Sequence, residues 1–506
     1  MSEKDDSSSV ALFEVIPPFL CRPEQVARWQ RAGESPTYKL LRKPNSLEEL
    51  NSYKYCMAIW SENGTLTYLT PHGRDDYPRE NALTLKYRGG GPTLHICGSS
   101  NLAINQTADY FMCLEKPTDE SNCLRIESTR AFDFSGAGTR CLEHMFQVAP
   151  SRPVEFFNID LSTQQSTILA TRPHPVRLVF NDCELEDSGT AFLDALESYS
   201  SSLALLKFEE SLPLDYRNLQ RLLALNGVID ELSLPLLLDD EFALLPFSAN
   251  VRRLEYELLA SSLSQADLES LHIPARQLFI RIEDFDRDAF PTDIMLSFFR
   301  RLAHMGHFIE LKVRFLFVDN DFAIPDSVIQ ELICTAHAND KLQVLDLCTQ
   351  GEDLEWDPHV KTLCRGLQNH KALRNLILEV RDDAFGRNFC HLRKLLSKNR
   401  QIVVMDELKR FYTDGSSIDE LYSLNKFYRG SADLEVTPLS KRSPLVATTL
   451  VRRASNSFRR TALLLSNHTD ALFDLVQIAG LNGLSGKTSS RETTEETTST
   501  RKRRRL

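Results

Sequence analysis

One hydrophobic pattern recurs through the middle of the chain: an apolar residue, two others, an apolar residue, one other, an apolar residue. It stands at Leu203-x-x-Leu206-x-Phe208, Ile229-x-x-Leu232-x-Leu234, Val251-x-x-Leu254-x-Tyr256 and Phe308-x-x-Leu311-x-Val313. Its clearest copies are Leu342-x-x-Leu345-x-Leu347 and Leu373-x-x-Leu376-x-Leu378, with weaker ones centred on Leu178, Leu278 and Val403. The central positions are spaced by 28, 26, 22, 24, 33, 34, 31 and 27 residues. Alternation inside each copy predicts a strand whose central and final apolar residues share a face.

Between copies the period becomes helical. Leu219, Leu222, Leu223 and Leu225 precede the Leu232 strand, and Ile294, Leu296, Phe298, Phe299 and Leu302 fall between Pro291 and Gly306. Pro291 suits a helix start and Gly306 a stop. Pro325 to Cys334, Asp357 to Leu367 and Phe389 to Leu396 repeat this shape. A strand followed by a helix cannot bury its apolar face alone, but stacked copies can. The predicted fold is α/β: a right-handed solenoid over residues 176–407, with parallel strands on its concave face and helices outside. A doubly wound α/β domain would call for Gly-rich strand-to-helix turns, which this stretch lacks.

These residues resemble the ribonuclease-inhibitor-like branch of leucine-rich-repeat proteins. The resemblance covers about half the chain. The Asn or Cys that usually follows the strand motif is mostly missing; Asn181-Asp182-Cys183 and Cys348 come nearest. The resemblance therefore implies a divergent arc whose turns are satisfied by other groups. The segment Ile418 to Gly430, with Ala462 to Asp470, is similar to the endings of algal repeat proteins to which no activity is assigned.

The flanks extend the picture. Residues 82–175 predict irregular N-terminal repeats, with strands at Leu83–Tyr87, Leu94–Ile96 and Cys123–Ile126. Residues 1–81 predict a small β-containing cap, with a hairpin about Glu62-Asn63-Gly64. An F-box would need better helical spacing than residues 10–50 offer. Residues 408–484 predict a helical C-terminal cap. From residue 485 the chain has few apolar residues and is expected to be disordered. It ends Arg501-Lys502-Arg503-Arg504-Arg505-Leu506, a candidate nuclear-import signal for an import receptor.

Charge changes the expected partner. The chain of 506 residues carries 70 Asp+Glu against 59 Lys+Arg, a net charge of −11. Residues 176–407 hold 24 Lys/Arg and 39 Asp/Glu, a net of −15. Nucleic acid is a poor expected partner for such a chain. Acidic groups cluster after the predicted strands: Asp182 and Glu184; Glu209 and Glu210; Asp239 and Asp240; Glu283 and Asp284; Asp319 and Asp321; Glu352 and Asp353; Asp382 and Asp383. Aligned by the repeat, they would form an acidic edge that captures a protein with a basic surface.

Candidate chemistry is sparse. Eleven cysteines form no CxxC pair and read as reduced thiols in an intracellular protein. No zinc-ligand spacing is evident, and His304-Met-Gly-His307 lacks a third ligand nearby. Arg88-Gly-Gly-Gly-Pro92 lacks the Lys-Ser/Thr of a phosphate loop. Arg452-Arg-Ala-Ser455 has the form of a basophilic kinase site. No secretory signal or membrane span is visible, so the sequons at Asn63, Asn105 and Asn467 are expected to stay unmodified. The sequence thus predicts a non-catalytic interaction scaffold without cofactor, metal or small-molecule substrate, in the nucleus through its basic tail and otherwise in the cytoplasm. The competing expectations are a substrate-recognition subunit of a ubiquitin ligase and an enzyme with an unrecognised N-terminal site.

Overall fold

The computed structural model describes residues 11–17, 19, 37–42, 44, 46–51, 57–70, 81–88, 91–114, 123–129, 132–172, 174–199, 202–265, 268–284, 290–317, 324–348, 356–454 and 456–485. The fold is α/β, built on a mostly parallel sheet of 17 strands. Two compact units divide the chain: residues 1–356 with 377–379, and residues 357–376 with 380–506.

The first unit begins with β1 (Phe13–Ile16), β2 (Thr37–Leu40), β3 (Met57–Trp60), β4 (Leu66–Thr70), β5 (Ala82–Tyr87), β6 (Thr93–Cys97) and β7 (Leu124–Ser128). The predicted hairpin is present: β3 and β4 pair antiparallel about Gly64, whose φ of +86° suits glycine. Strand β6 lies between β4 and β5, antiparallel to both, and β5 pairs antiparallel with β7. The stretch predicted as irregular repeats over 82–175 therefore divides at Leu124. Upstream, the five residues between β5 and β6 allow only an antiparallel return, because a parallel one needs a crossover of a dozen or more residues.

From β7 onward the strands run parallel in sequence order. They are β8 (Val154–Phe157), β10 (Val176–Asn181), β12 (Leu203–Glu209), β13 (Ile229–Leu234), β14 (Arg253–Leu259), β15 (Gln277–Asp284), β16 (Glu310–Phe317) and β17 (Val344–Asp346). Short strands β9 (Asp160–Leu161) and β11 (Glu184–Leu185) form a separate parallel pair. The recurring leucines fall into one register: Leu178, Leu206, Leu232, Leu254, Leu278, Leu311 and Leu345 face each other from strand to strand. All seven are at most 1% exposed, so this row is the spine of the core. Beside it Phe156, Phe180 and Phe208 stack in register, with centroids 5.7 and 5.6 Å apart.

Helices follow most strands, as the periodicity requires. Residues Thr292–Met305 start after Pro291 and stop at Gly306, which is left-handed at φ +63°. The missing strand-end asparagine has a counterpart on the other side of the unit, three residues before the strand motif. Asn339 is fully buried after helix Asp326–Ala338. Its amide donates to the Thr335 and Leu302 carbonyls, and its oxygen accepts from the Phe308 N–H at 2.9 Å.

The second unit repeats that device. Asn399 donates to the His370 and Leu367 carbonyls and accepts from the Gln401 N–H. His370 Nδ1 accepts from the Leu373 N–H at 3.0 Å. Helices Ser417–Asp433, Leu439–Thr449, Phe458–Asn467 and Thr469–Ser485 follow β18 (Asn375–Ile377) and β19 (Val403–Met405). Val446, Ala454, Leu464 and Ala471 form their small core, covered by Phe427, Leu434 and Leu450. Among the described residues no helix is long and apolar enough to cross a membrane.

Candidate functional site

Alternation along the parallel strands sends every second side chain away from the leucine spine. In β14 Leu254, Tyr256 and Leu258 are buried, while Arg253, Glu255 and Glu257 are half-buried on the opposite face. Register carries that face across ten strands. Lys86 opposes Arg125, which opposes Glu155 and then Val179. The row continues through Lys207, Ser233 and Glu255 to Phe279, Lys312 and Asp346.

The row is a mosaic of both signs, not an acidic surface. Glu155 pairs with Arg125 at 3.0 Å and Arg88 at 2.7 Å. Lys207 holds Glu209 at 2.8 Å and lies 3.7 Å from Glu255. Arg281 pairs with Glu257 at 2.7 Å, and Lys312 with Asp346 at 2.9 Å. The Phe279 ring sits among the cations of Lys312, Arg314 and Arg281, at 4.7, 5.1 and 6.0 Å. A depression of about 260 Å³ opens beside this ring, lined in part by Lys207, Glu209, Ser233, Glu255 and Arg281.

Two carboxyls of this face are perturbed. Burial alone would raise Glu209, but hydrogen bonds and charge from Lys207, with the Asn181 amide, more than reverse it and hold the carboxyl below its ordinary value. Glu283 is raised well above the carboxylate range, first by burial and then by its hydrogen bond and repulsion with Glu257.

The candidate acidic edge is partly assembled. Register places Asp182 opposite Glu210, one residue beyond the paired Asn181 and Glu209. Both are exposed and left-handed, at φ 49° and 64°, in line with Asn158 at φ 52° on the next strand. Glu184 is exposed in β11. Glu209 turns onto the mosaic face. Asp239 and Asp240 are exposed but leave the row: Asp240 accepts from the Ser262 hydroxyl, and Asp239 from the Glu241 N–H. Glu283 is only 7% exposed and shares a hydrogen bond with Glu257. Asp382 and Asp383 are exposed in a 3-10 turn of the second unit. The side chain of Asp284, with Asp319, Asp321, Glu352 and Asp353, lies outside the described residues, as do Ser455 and Arg501, Lys502, Arg503, Arg504 and Arg505.

Two helices bring together a second cluster. Asp109, Cys113 and His144 each offer a ligand atom, and these atoms lie within 4.8 Å of one another. Asp109 sits in helix Asn101–Met112, Cys113 caps that helix, and His144 projects from helix Arg140–Val148. His144 Nδ1 is 3.0 Å from Asp109 Oδ1. No single short-spacing motif contains all three, because His144 lies 31 residues after Cys113. The signal was present as Asp109-x-x-x-Cys113 and Cys141-x-x-His144, spacings that share a helix face. The other histidine pair stays separate: His307 bonds backbone carbonyls at Ala275 and Met305.

No protein-family model matches this chain, and no curated protein matches it.

Proposed function

We propose that the chain is a divergent leucine-rich-repeat-like solenoid that works as a non-catalytic scaffold or adaptor. A protein partner docks on the mosaic face of the sheet and is oriented by the acidic edge at Asp182 and Glu210. The observation that carries this reading is the register-locked row from Lys86 to Asp346, in which charged residues of both signs, interrupted by Val179, Ser233 and Phe279, lie beside an aromatic-floored depression. Repetition of one strand–helix unit in sequence order supports the solenoid. Fixed charges of both signs select a partner by complementarity more than they add raw affinity. A basic segment on that partner would meet the acidic edge first. The basic tail at Arg501–Arg505 engages an import receptor in this reading, and the scaffold acts in the nucleus.

Proximity labelling in the native cell tests the proposal. The variant Lys207→Glu with Arg281→Glu reverses the two cations flanking the depression. It is expected to lose the proteins labelled by the wild type while keeping its circular dichroism. An unchanged set of labelled proteins rejects the face as the docking surface. Neutralising Asp182 and Glu210 is expected to slow capture at low salt and to matter little at high salt. Removing residues 501–506 is expected to shift a tagged chain out of the nucleus; an unchanged distribution discards the import role.

A further inference from the structure

We propose that Asp109, Cys113 and His144 form a binding site for a divalent transition metal of the zinc type. The three donors are a carboxylate oxygen, a thiol sulfur and an imidazole nitrogen, brought within 4.8 Å of one another by two helices. Sulfur with imidazole selects zinc and its neighbours over magnesium and calcium, which prefer oxygen alone. Bonds of about 2.0–2.3 Å to a tetrahedral zinc place ligand atoms roughly 3.3–3.8 Å apart. The widest separation therefore needs to close by about 1 Å at most.

The backbone that carries Cys113 is already held. Arg152 is 4% exposed, and its guanidinium donates to the carbonyls of Met112 at 2.6 Å and Leu114 at 2.7 Å, on either side of Cys113. The Tyr87 hydroxyl donates to the Phe111 carbonyl at 2.5 Å. His144 Nδ1 and Asp109 Oδ1 already lie 3.0 Å apart, so the metal would replace the proton they share and the two atoms would open slightly. The opposing cation is weakly placed: Arg140 Nε lies 3.9 Å from Asp109, and its side chain is 90% exposed, so it can swing into solvent.

Helix polarity decides between a metal and a nucleophile. Cys113 is the C-cap of helix Asn101–Met112. That carbonyl end carries a partial negative charge, which favours a cation and disfavours a bare thiolate. Activated nucleophilic cysteines stand at the opposite, N-terminal ends of helices. On binding, the Cys113 thiol releases its proton to water, and neutral His144 supplies a nitrogen lone pair. No electron changes hands. The fourth position falls to water or to Cys141, one turn before His144 on the same helix face.

The test uses the full-length reduced chain with cobalt(II) as probe. The expected result is one equivalent bound with a sulfur-to-cobalt charge-transfer band, displaced by zinc. Cys113→Ser should abolish the band, and His144→Ala should weaken zinc binding at least about tenfold. No band in the wild type, or a band that survives in Cys113→Ser, overturns the site. Alkylation mapped on the wild type guards against a variant that misfolds. Zinc should protect Cys113 while leaving the exposed Cys334 and Cys390 reactive. Equal labelling of Cys113 with and without zinc also overturns the proposal.

Discussion

The antiparallel N-terminal strands and the parallel strands that follow use their two faces in opposite ways. In β4 and β6 every residue is buried, so the Thr70 and His95 side chains must find their partners inside. In β14 burial alternates, and its charged residues remain half in solvent. His95 fits its closed setting as a neutral ring whose nitrogens meet the Thr84 and Thr70 hydroxyls at 2.9 and 3.3 Å. Glu257 and Glu283 fit theirs as neighbouring carboxyls beside Arg281. The closed face holds His95 as a neutral hydrogen-bonded ring, whereas the open face holds ion pairs such as Lys312–Asp346 and one carboxyl, Glu283, that burial and Glu257 push toward its neutral form. His95 and Glu283 therefore respond to acid with opposite signs.

The largest expected effect tests the spine the parallel strands depend on. Phe180 is stacked between Phe156 and Phe208, and Phe180→Ala should cost about 3–5 kcal/mol. The midpoint of urea unfolding measures it. Next is the pH response of the closed region. Burial first, and then the charge of Lys86, hold His95 down at about 3, against 6.5 when unfolded. Between those values the unfolded chain binds the extra proton. Stability is therefore fully present above pH 6.5 and falls as pH drops toward 3, by about 1.4 kcal/mol per pH unit. Unfolding followed across that window should show the slope, and His95→Gln should flatten it.

Asn339→Ala should cost about 1–3 kcal/mol, because it leaves the Phe308 N–H and the Leu302 and Thr335 carbonyls short of a partner. Hydrogen exchange at Phe308 reads the loss directly. Glu283 gives the opposite tilt to His95. Its folded carboxyl is raised above the unfolded value, so its contribution is present below that value and disappears as pH rises through the folded one. Glu283→Gln should raise stability at pH 8 by about 1 kcal/mol and leave acid stability unchanged. The smallest effect belongs to the face itself: Lys207→Ala should change stability by less than about 1 kcal/mol. A large loss there would mean that the mosaic is part of the core.

The leucine row was legible because its signal is local: Leu254 and Tyr256 repeat with period two, and helical spacing surrounds them. The antiparallel start was harder to read. Thr84 and His95 look like solvent-facing residues of a half-buried strand, yet they bond to each other inside. Asn339 was hidden for another reason: the resemblance places an asparagine after the strand, and here it follows the helix. The acidic edge shows the limit of counting charges. Asp182 and Glu210 align because register fixes them, while Glu283, one position past that row, turns into the sheet beside Glu257. The Asp109–Cys113–His144 cluster needs tertiary packing, which no spacing rule within one segment supplies.

The leucine row also bears on how such a chain changes over generations. Its members keep one register although the intervals between them range from 22 to 34 residues. Most of the difference in interval lies in the segments that leave and rejoin the sheet. Doubling the length of a flexible loop costs only about 0.6 kcal/mol, whereas a one-residue slip inside a strand would turn every leucine outward. Insertions and deletions can thus accumulate between strands while the row stays intact. Alignments that penalise gaps evenly will lose track of relatives long before the architecture is lost.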